Sequence, residues 1–318
     1  MTINSERRVY AVVGTGGVGG YFGGRLALAG RDVRFLFHSD YAHVAEHGLR
    51  VRSCNGDFAL PRVAAFADAA DMGRADVVLV CLKTTRLGLL RTLLPPLVDE
   101  RTTVLLIQNG IGVEAAVEAM VPGVRLVAGL AFIGAEKIGP GLVDHKFFGN
   151  INLAPYNFEA DAGLEAIAAD FMGAGVPIRI MPYAEARWKK ALWNMPYNGA
   201  SVVVGCQTDE LSRGAGLRLT RALMEEVAGA AKALGVTNRE GTRPAIMGRE
   251  IDRSVELTLQ MPPYWPSMKV DYDNGREMEI EFLYRRPIEM AAAAGYDMRM
   301  TRALMLELEV LQAKRLGN

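Results

Sequence analysis

Lys190, Asn194 and Asn198 recur at intervals of four in the stretch Arg187-Trp-Lys-Lys-Ala-Leu-Trp-Asn-Met-Pro-Tyr-Asn198. On a helix of about 3.6 residues per turn, each step of four drifts only about 40° around the axis. One face would then carry an ammonium and two carboxamides within an otherwise apolar segment. Asparagine is a mediocre helix former, so two of them on such a face need a reason. Amides offer a donor and an acceptor without charge, which suits a hydroxyl or a carboxylate. The ammonium can give positive charge and a proton to a carbonyl oxygen as it is reduced. Burial or a nearby cation would lower its pKa and make it a better acid. The plainer reading of Lys190 is a surface lysine like Lys189; the shared face tips the balance toward function. Pro196 sits between the two asparagines and removes the hydrogen bond to the carbonyl of Leu192. It predicts a kink, so the alignment is approximate beyond Trp193.

A proton donor of this kind needs a hydride donor opposite it, and the start of the chain offers one a place. Gly14-Thr15-Gly16-Gly17-Val18-Gly19 follows a β-branched run at 9–13 and opens a helical pattern at 21–29. In a βα turn the first glycine makes the tight bend and the second lets the backbone approach a pyrophosphate. The third lets helix and strand pack closely. The helix N-terminus offers free N–H groups and partial positive charge to the phosphates. An ordinary glycine-rich turn would leave this density of glycines unexplained. The end of the second strand selects the dinucleotide, since an acid there suits the ribose 2′-OH of NAD and a basic group the 2′-phosphate of NADP. Here the chain reads Phe35-Leu-Phe-His38-Ser39-Asp40, with no acid at the strand end itself. His38 and Ser39 can receive a phosphate, helped by Arg34 or Arg50 if they fold nearby. This favours NADP (NADPH) and leaves NAD open, as does reading His38 as a solvent-facing loop residue.

The elements around these residues follow βαβ grammar. Near-continuous apolar runs at 77–82 and 104–107 suit strands buried on both faces of a parallel sheet, and 32–37 reads as a further strand. Helical patterns occupy 87–97 and 113–120, and Asn55-Gly56 marks a hairpin turn. Strand-like runs continue through 125–155, broken at Gly139-Pro140-Gly141. After Pro182 the texture becomes helical, at 185–204, 216–234, 243–259 and 278–294, with Pro262-Pro263-Tyr264-Trp265-Pro266 as a rigid loop. The reading is α/β: an N-terminal Rossmann-type dinucleotide-binding domain at 1–181, then an all-helical substrate and dimerisation domain at 182–318. Lys83 and Asn109 fall at the carboxyl ends of parallel strands, the edge where open α/β sheets bind ligands. Asn109 also suits a turn before Gly110, and Lys83 a solvated loop.

With 36 basic and 36 acidic residues, the charge balance gives no argument for nucleic acid or an anionic membrane. No run of about 18 apolar residues exists to span a bilayer. The first residues lack the apolar core of a signal peptide. Cys54, Cys81 and Cys206 are three cysteines without metal-ligand spacing, which points to a reducing compartment. These observations read as a cytoplasmic protein acting on a small molecule, without a metal. Gly-x-Ser-x-Gly is absent, so no serine-hydrolase reading is supported. His145, Trp188 and Trp193 are given packing roles.

Taken in order, Gly14–Gly19, Cys81-Leu-Lys83, Gln108-Asn-Gly110, Lys190/Asn194/Asn198, Pro266-Ser-Met268 and Glu279-Ile-Glu form a specific set. The chain resembles the ketopantoate reductase (2-dehydropantoate 2-reductase) family over nearly its whole length. The resemblance implies a Rossmann domain followed by a helical domain, with NADPH reducing a 2-oxo acid in the cleft between them. The product would be pantoate, on the route to pantothenate and coenzyme A. It implies Lys190 as catalytic lysine, Asn194 and Asn198 as substrate-holding asparagines, and Asn109 beside the nicotinamide. It further implies Ser267 at the substrate carboxylate, Glu279 at the substrate hydroxyl and Lys83 near the cofactor. From the residues alone, Ser267 could equally cap the next helix, and Glu279 competes with Glu277 and Glu281 on a charged helix face. His38 stands where the family commonly has an arginine, and Phe282-Leu-Tyr-Arg285 where it usually continues toward Asn-Gly. Helical second domains of such reductases often carry a homodimer interface, although nothing in the residues fixes an oligomeric state. Two other readings stay open: a reductase of another 2-oxo acid with the same mechanism, and a non-enzymatic dinucleotide sensor or partner-binding protein.

Overall fold

The computed structural model describes residues 8–317; the N-terminal stretch read above for a leader lies, up to Arg7, outside the described residues. The chain divides into two compact units. One is built from the chain up to Gln108 and from Val113–Tyr183, the other from Asn109–Gly112 and Ala184–Asn318.

The first unit opens with β1 (Val9–Val13), α1 (Gly17–Leu28), β2 (Asp32–Leu36), α2 (Tyr41–His47), β3 (Leu49–Ser53), β4 (Phe58–Leu60) and β5 (Ala64–Phe66). It continues through β6 (Val77–Val80), α3 (Leu90–Leu93), β7 (Thr103–Leu106), α4 (Val113–Met120), β8 (Arg125–Gly139), β9 (Leu142–Pro155), α5 (Ala162–Gly173) and β10 (Ile178–Ile180). The strands form one sheet in the order β4-β3-β9-β8-β7-β6-β1-β2-β5, with β10 also paired to β9. From β5 to β8 every pairing is parallel; β8 and β9 then form a long antiparallel hairpin. The sheet is therefore mixed. The glycines at 139 and 141 turn one hairpin rather than separating several short strands. The interior strands bury every residue of β6 and β7, as their unbroken apolar runs require. Tyr10, Val12, Phe22, Leu26, Phe35, Leu79 and Leu105 lie in the core shared by sheet and helices.

Register brings the functional ends together. Val13 pairs with Leu36 on one side and Val80 on the other, and Val80 pairs with Leu106. The loops after β1, β2, β6 and β7 thus leave from one edge. Because β1 lies between β2 and β6, the sheet changes its direction of growth there, the position at which such sheets bind nucleotides. The helix expected at 87–97 shrinks to α3 preceded by a 3₁₀ segment, Thr84–Leu89. Pro95 and Pro96 follow α3 closely, and proline cannot extend a helix without losing a backbone bond.

The second unit takes in α6 (Tyr183–Val204) from Ala184 onward, then α7 (Gly214–Ala233), α8 (Gly248–Gln260), α9 (Ser267–Asp273), α10 (Arg286–Ala293) and α11 (Arg299–Leu316). Its core gathers Trp188, Met195, Tyr197, Met224, Val227, Ile251, Tyr284 and Leu308. The long helix expected over 278–294 starts later: Met278 and Glu279 lie outside any helix, and a π-helical turn, Glu281–Arg285, runs into α10. Helix α11 was not legible from apolar period alone. It buries Leu304, Met305 and Leu308 but exposes Leu306 and Val310, which blurs the stripe.

Candidate functional site

The glycine-rich loop is shaped by contacts that only glycine tolerates. Gly14 has φ +97°, and a Cβ there would lie 2.6 Å from the backbone nitrogen of Leu82. A Cβ on Gly19 would lie 2.3 Å from the carbonyl oxygen of Gly14, so helix α1 leaves the loop at closest approach. At Gly16, by contrast, a Cβ would meet nothing within 4 Å, so the loop faces open ground. No side chain caps the start of α1. The first-turn amides of Gly17, Val18 and Gly19 have no intrahelical acceptor, as in any α-helix. Open space before unspent helix amides fits a dinucleotide pyrophosphate. Thr15 donates its hydroxyl to the carbonyl of Leu36 at 2.7 Å, fastening the loop to the end of β2.

Beyond β2, His38 and Ser39 are exposed. Asp40 is not: it is 6% exposed and points away into the hairpin. Its carboxylate accepts from Lys137 Nζ at 2.8 Å and from the Gly141 amide at 3.2 Å, and Ser39 donates its hydroxyl to it at 3.0 Å. Burial works against the charge, but these donors prevail and hold the carboxyl below its ordinary pKa. Arg34 is spent on the carbonyls of Met72 and Arg74. At the end of β6, Lys83 is exposed and opens the 3₁₀ segment. Gln108 donates to the carbonyl of Leu82 at 2.7 Å, joining the ends of β6 and β7. Lys137 escaped the sequence reading, and Gln108 entered it only within Gln108-Asn-Gly110, without a role of its own. The partner of Lys137 is 97 positions away, and nothing local signals it.

In the second unit α6 runs unbroken through Pro196. Its polar row is longer than the spacing of four suggested. Arg187 precedes Lys190 by three residues and Ser201 follows Asn198 by three; both are buried, with Asn194 and Asn198 between them. The i, i+3 spacing of these two was readable but passed over. Lys189 pairs with Glu185 at 2.6 Å, whereas Lys190 sits on the polar row. Burial, then the positive charge of Arg187, brings the Lys190 pKa down from 10.5 to about 7. An ammonium so tuned surrenders its proton readily near neutrality.

Asn194 donates through Nδ2 to Asn109 Oδ1 at 3.0 Å, which fixes the Asn109–Gly112 segment to α6. The Ile111 amide adds a bond to the carbonyl of Phe282 at 2.8 Å. Gly110, at φ +102°, packs so closely on Phe282 that a Cβ would come within 2.5 Å. Asn198 Oδ1 accepts the Met268 amide at 3.1 Å and the Ser267 hydroxyl at 3.4 Å. The structure thus gathers Asn109, Asn194, Asn198 and Ser267 into one hydrogen-bonded series. Ser267 is the first residue of α9, whose own N-cap position is Pro266.

Among the three neighbouring glutamates the structure makes a clear distinction. Glu277 is exposed, and Glu281 pairs with Arg285 and Arg286 at 3.1 and 2.8 Å. Glu279 is 6% exposed, in the turn just before the π-helical segment, where the Ile280 amide donates to the carbonyl of Met278 at 2.9 Å. Such π-helical segments often mark functional positions because they displace one residue from the helical register. Among the described residues no group of three or more His, Cys, Asp or Glu is placed to hold a metal, and no helix is long and apolar enough to cross a membrane.

Comparison with known proteins gives a consistent result over both units. Residues 10–157 match the family described as ketopantoate reductase PanE/ApbA, and residues 183–312 match its C-terminal counterpart, ketopantoate reductase PanE/ApbA C terminal. A 2-dehydropantoate 2-reductase of a Nostoc species is 40% identical over 316 residues, covering 97% of both chains. The crystal structure of 2-dehydropantoate 2-reductase from Geobacter metallireducens matches with a TM-score of 0.89 at 36% identity, covering 95% of this chain and 99% of that one. That from Methylococcus capsulatus matches with a TM-score of 0.82 at 31% identity, covering 96% and 97%.

Proposed function

This chain belongs to the ketopantoate reductase family, and from that premise we infer that it reduces 2-dehydropantoate to pantoate with NADPH. The observation that carries the chemistry is Lys190, an ammonium with its pKa brought near neutrality on a helix row shared with two buried asparagines. A nicotinamide dinucleotide, when bound, supplies a hydride to the carbonyl carbon. Lys190 supplies the proton to the carbonyl oxygen, so that ketone, hydride and proton balance to a secondary alcohol. Asn194, Asn198 and Ser267 make up the substrate-holding set, and Glu279 accepts a hydrogen bond from the substrate hydroxyl. Gly14 to Gly19 hold the pyrophosphate through backbone amides, and Lys83 and Asn109 serve the cofactor.

The preference for NADP rests on Asp40. The carboxylate nearest the end of β2 is taken up by Lys137 and the Gly141 amide, which withdraws it from any ribose hydroxyl. His38 and Ser39 remain exposed at the position where a 2′-phosphate is read. The test is a panel of 2-oxo acids run with NADPH and with NADH. Ketopantoate with NADPH is expected to give the highest kcat/KM, at least about tenfold above NADH, which corresponds to 1.4 kcal/mol. Turnover of ketopantoate no better than that of pyruvate would overturn the substrate. It would favour a different 2-oxo acid, a reading that the stretch Phe282-Leu-Tyr-Arg285 after Glu279 keeps in view.

Glu279→Gln keeps the size of the side chain and removes its charge. It is expected to lower kcat/KM about 100-fold, within the range of one positioned acid–base or charged hydrogen-bonding group. The dissociation constant of NADPH, measured by fluorescence titration, should change less than about twofold. A loss confined to NADPH affinity would move Glu279 out of the substrate site.

A further inference from the structure

We propose that Lys137 sets the cofactor preference of this chain as the counter-ion of Asp40, so that the end of β2 shows no uncompensated negative charge to a 2′-phosphate. The inference rests on the NADPH reading above and deepens it. That reading places a doubly charged phosphate beside the loop after β2, where the chain also carries a carboxylate. Asp40 follows Leu36, the last residue of β2, by four positions. An acid near that strand end normally marks a site for NAD. It accepts from the ribose 2′-hydroxyl and repels a phosphate attached there.

In this chain the carboxylate is engaged at both oxygens. Oδ1 accepts from Lys137 Nζ at 2.8 Å and from the Ser39 hydroxyl at 3.0 Å, and Oδ2 accepts the Gly141 amide at 3.2 Å. Of these three donors, Lys137 alone brings a charge. The donors outweigh burial and keep Asp40 ionised at neutral pH, so its charge has to be offset rather than titrated away. The Asp40 side chain is 7% exposed and that of Lys137 35%. Water screens a carboxylate so placed only weakly, and without the ammonium its field would reach the phosphate site.

The β8–β9 hairpin delivers the ammonium. Strand β8 passes the start of α1 at Ala135, so closely that a Cβ on Gly17 would lie 2.4 Å from the Ala135 carbonyl oxygen. Two residues later the same strand reaches Asp40 through Lys137. One strand thus borders both the pyrophosphate loop and the loop that meets the ribose. Gly141, at φ +59° in the turn of the hairpin, is held from its other side: its carbonyl accepts the Arg50 amide at 2.8 Å. The hairpin tip is therefore tied to β3 as well as to Asp40, which gives the lysine a fixed base.

Fluorescence titration with NADPH and with NADH, which differ only in the 2′-phosphate, reads the preference without any substrate. At pH 8, Lys137→Met is expected to weaken NADPH binding about 30-fold, well within what two like charges cost when brought together, and NADH binding less than about twofold. Nearly unchanged NADH binding separates loss of a counter-ion from collapse of the loop. Adding Asp40→Asn removes the charge that the lysine offsets. The double variant should therefore bind NADPH within about threefold of the wild type, a coupling that the double-mutant cycle reads directly. A double variant as weak for NADPH as Lys137→Met alone would make Lys137 a phosphate ligand and overturn the proposal. An unshifted preference in Lys137→Met would overturn it too, while leaving the NADPH reading in place. A wild type that binds NADH as tightly as NADPH would overturn that reading and the proposal together. If the wild type binds NADPH but reduces no 2-oxo acid, the reductase reading fails and the same binding ratios still decide the counter-ion. Should Lys137→Met not fold, Lys137→Gln, uncharged but able to donate to Asp40, takes its place.

Discussion

Lys190→Met is expected to lower kcat about 1,000-fold while leaving the NADPH dissociation constant within about twofold. General acid catalysis and charge stabilisation at the developing oxyanion are both lost with the ammonium, and each is worth roughly 100-fold or more. The wild type has a pH signature. Reduction needs the protonated lysine, so kcat/KM should fall as pH rises through about 7, the value to which burial and Arg187 bring the ammonium. The effect on stability has the opposite sense. The folded pKa lies below the ordinary 10.5, so the unfolded chain binds more protons between about 7 and 10.5, and stability rises with pH across that window. Below about 7 the protein carries the cost of desolvating the ammonium beside Arg187. Lys190→Met removes it and should raise Tm at pH 6 by roughly 2–4 °C, with a smaller gain at pH 9. Steady-state kinetics from pH 5.5 to 9 and thermal unfolding at the two pH values check both effects. A kcat/KM flat across neutrality would take the lysine out of the acid role.

The second large effect separates two glycines of one loop. Gly19→Ala places a methyl 2.3 Å from the carbonyl oxygen of Gly14 and 3.1 Å from Cys81 Cβ. A backbone atom cannot swing aside, so the turn itself must move. Overpacking of this kind costs about 1–3 kcal/mol, and the displaced amides should weaken NADPH binding by about 100-fold or more. Gly16→Ala differs: its φ of −86° suits alanine, and its methyl would touch no protein atom. Stability should hold within about 0.5 kcal/mol, yet the methyl takes the ground that a pyrophosphate needs. Thermal unfolding and fluorescence titration should therefore give low Tm with weak binding for Gly19→Ala, and normal Tm with weak binding for Gly16→Ala. Normal NADPH affinity in Gly16→Ala would place the phosphates elsewhere.

What could be read in the sequence was whatever is encoded over short range. The glycine spacing placed the turn after β1, and the apolar runs at 77–82 and 104–107 placed β6 and β7. The spacing of four put Lys190, Asn194 and Asn198 on one helix face. Long-range pairing stayed hidden. The use of Asp40 depends on Lys137, and the surroundings of Asn198 depend on a backbone amide 70 positions away. Nor did the pattern separate Glu279 from Glu277 and Glu281. A charged helix face was expected for all three, whereas Glu277 and Glu279 precede the π-helical turn and only Glu279 is buried. Pro196 predicted a kink; α6 remains one helix through it. The missing bond lies in a buried, densely packed stretch, where Tyr284 donates its hydroxyl to the carbonyl of Met195 at 2.7 Å.

The segment Asn109–Gly112 has a consequence for the order in which the molecule can be completed during synthesis. It follows β7 directly, yet its partners lie on α6 and at Phe282. Domains generally fold as units from the N-terminus as the chain emerges from the ribosome. Here the β7 edge emerges with a loop whose bonding partners have not yet been made. Ile111, 3% exposed in the finished protein, gains its bond to the Phe282 carbonyl only once that residue has been made. The segment that carries Asn109 is thus completed only after Phe282 has been made, and a nascent chain stopped before α6 holds the glycine-rich loop without the Asn194 partner of Asn109.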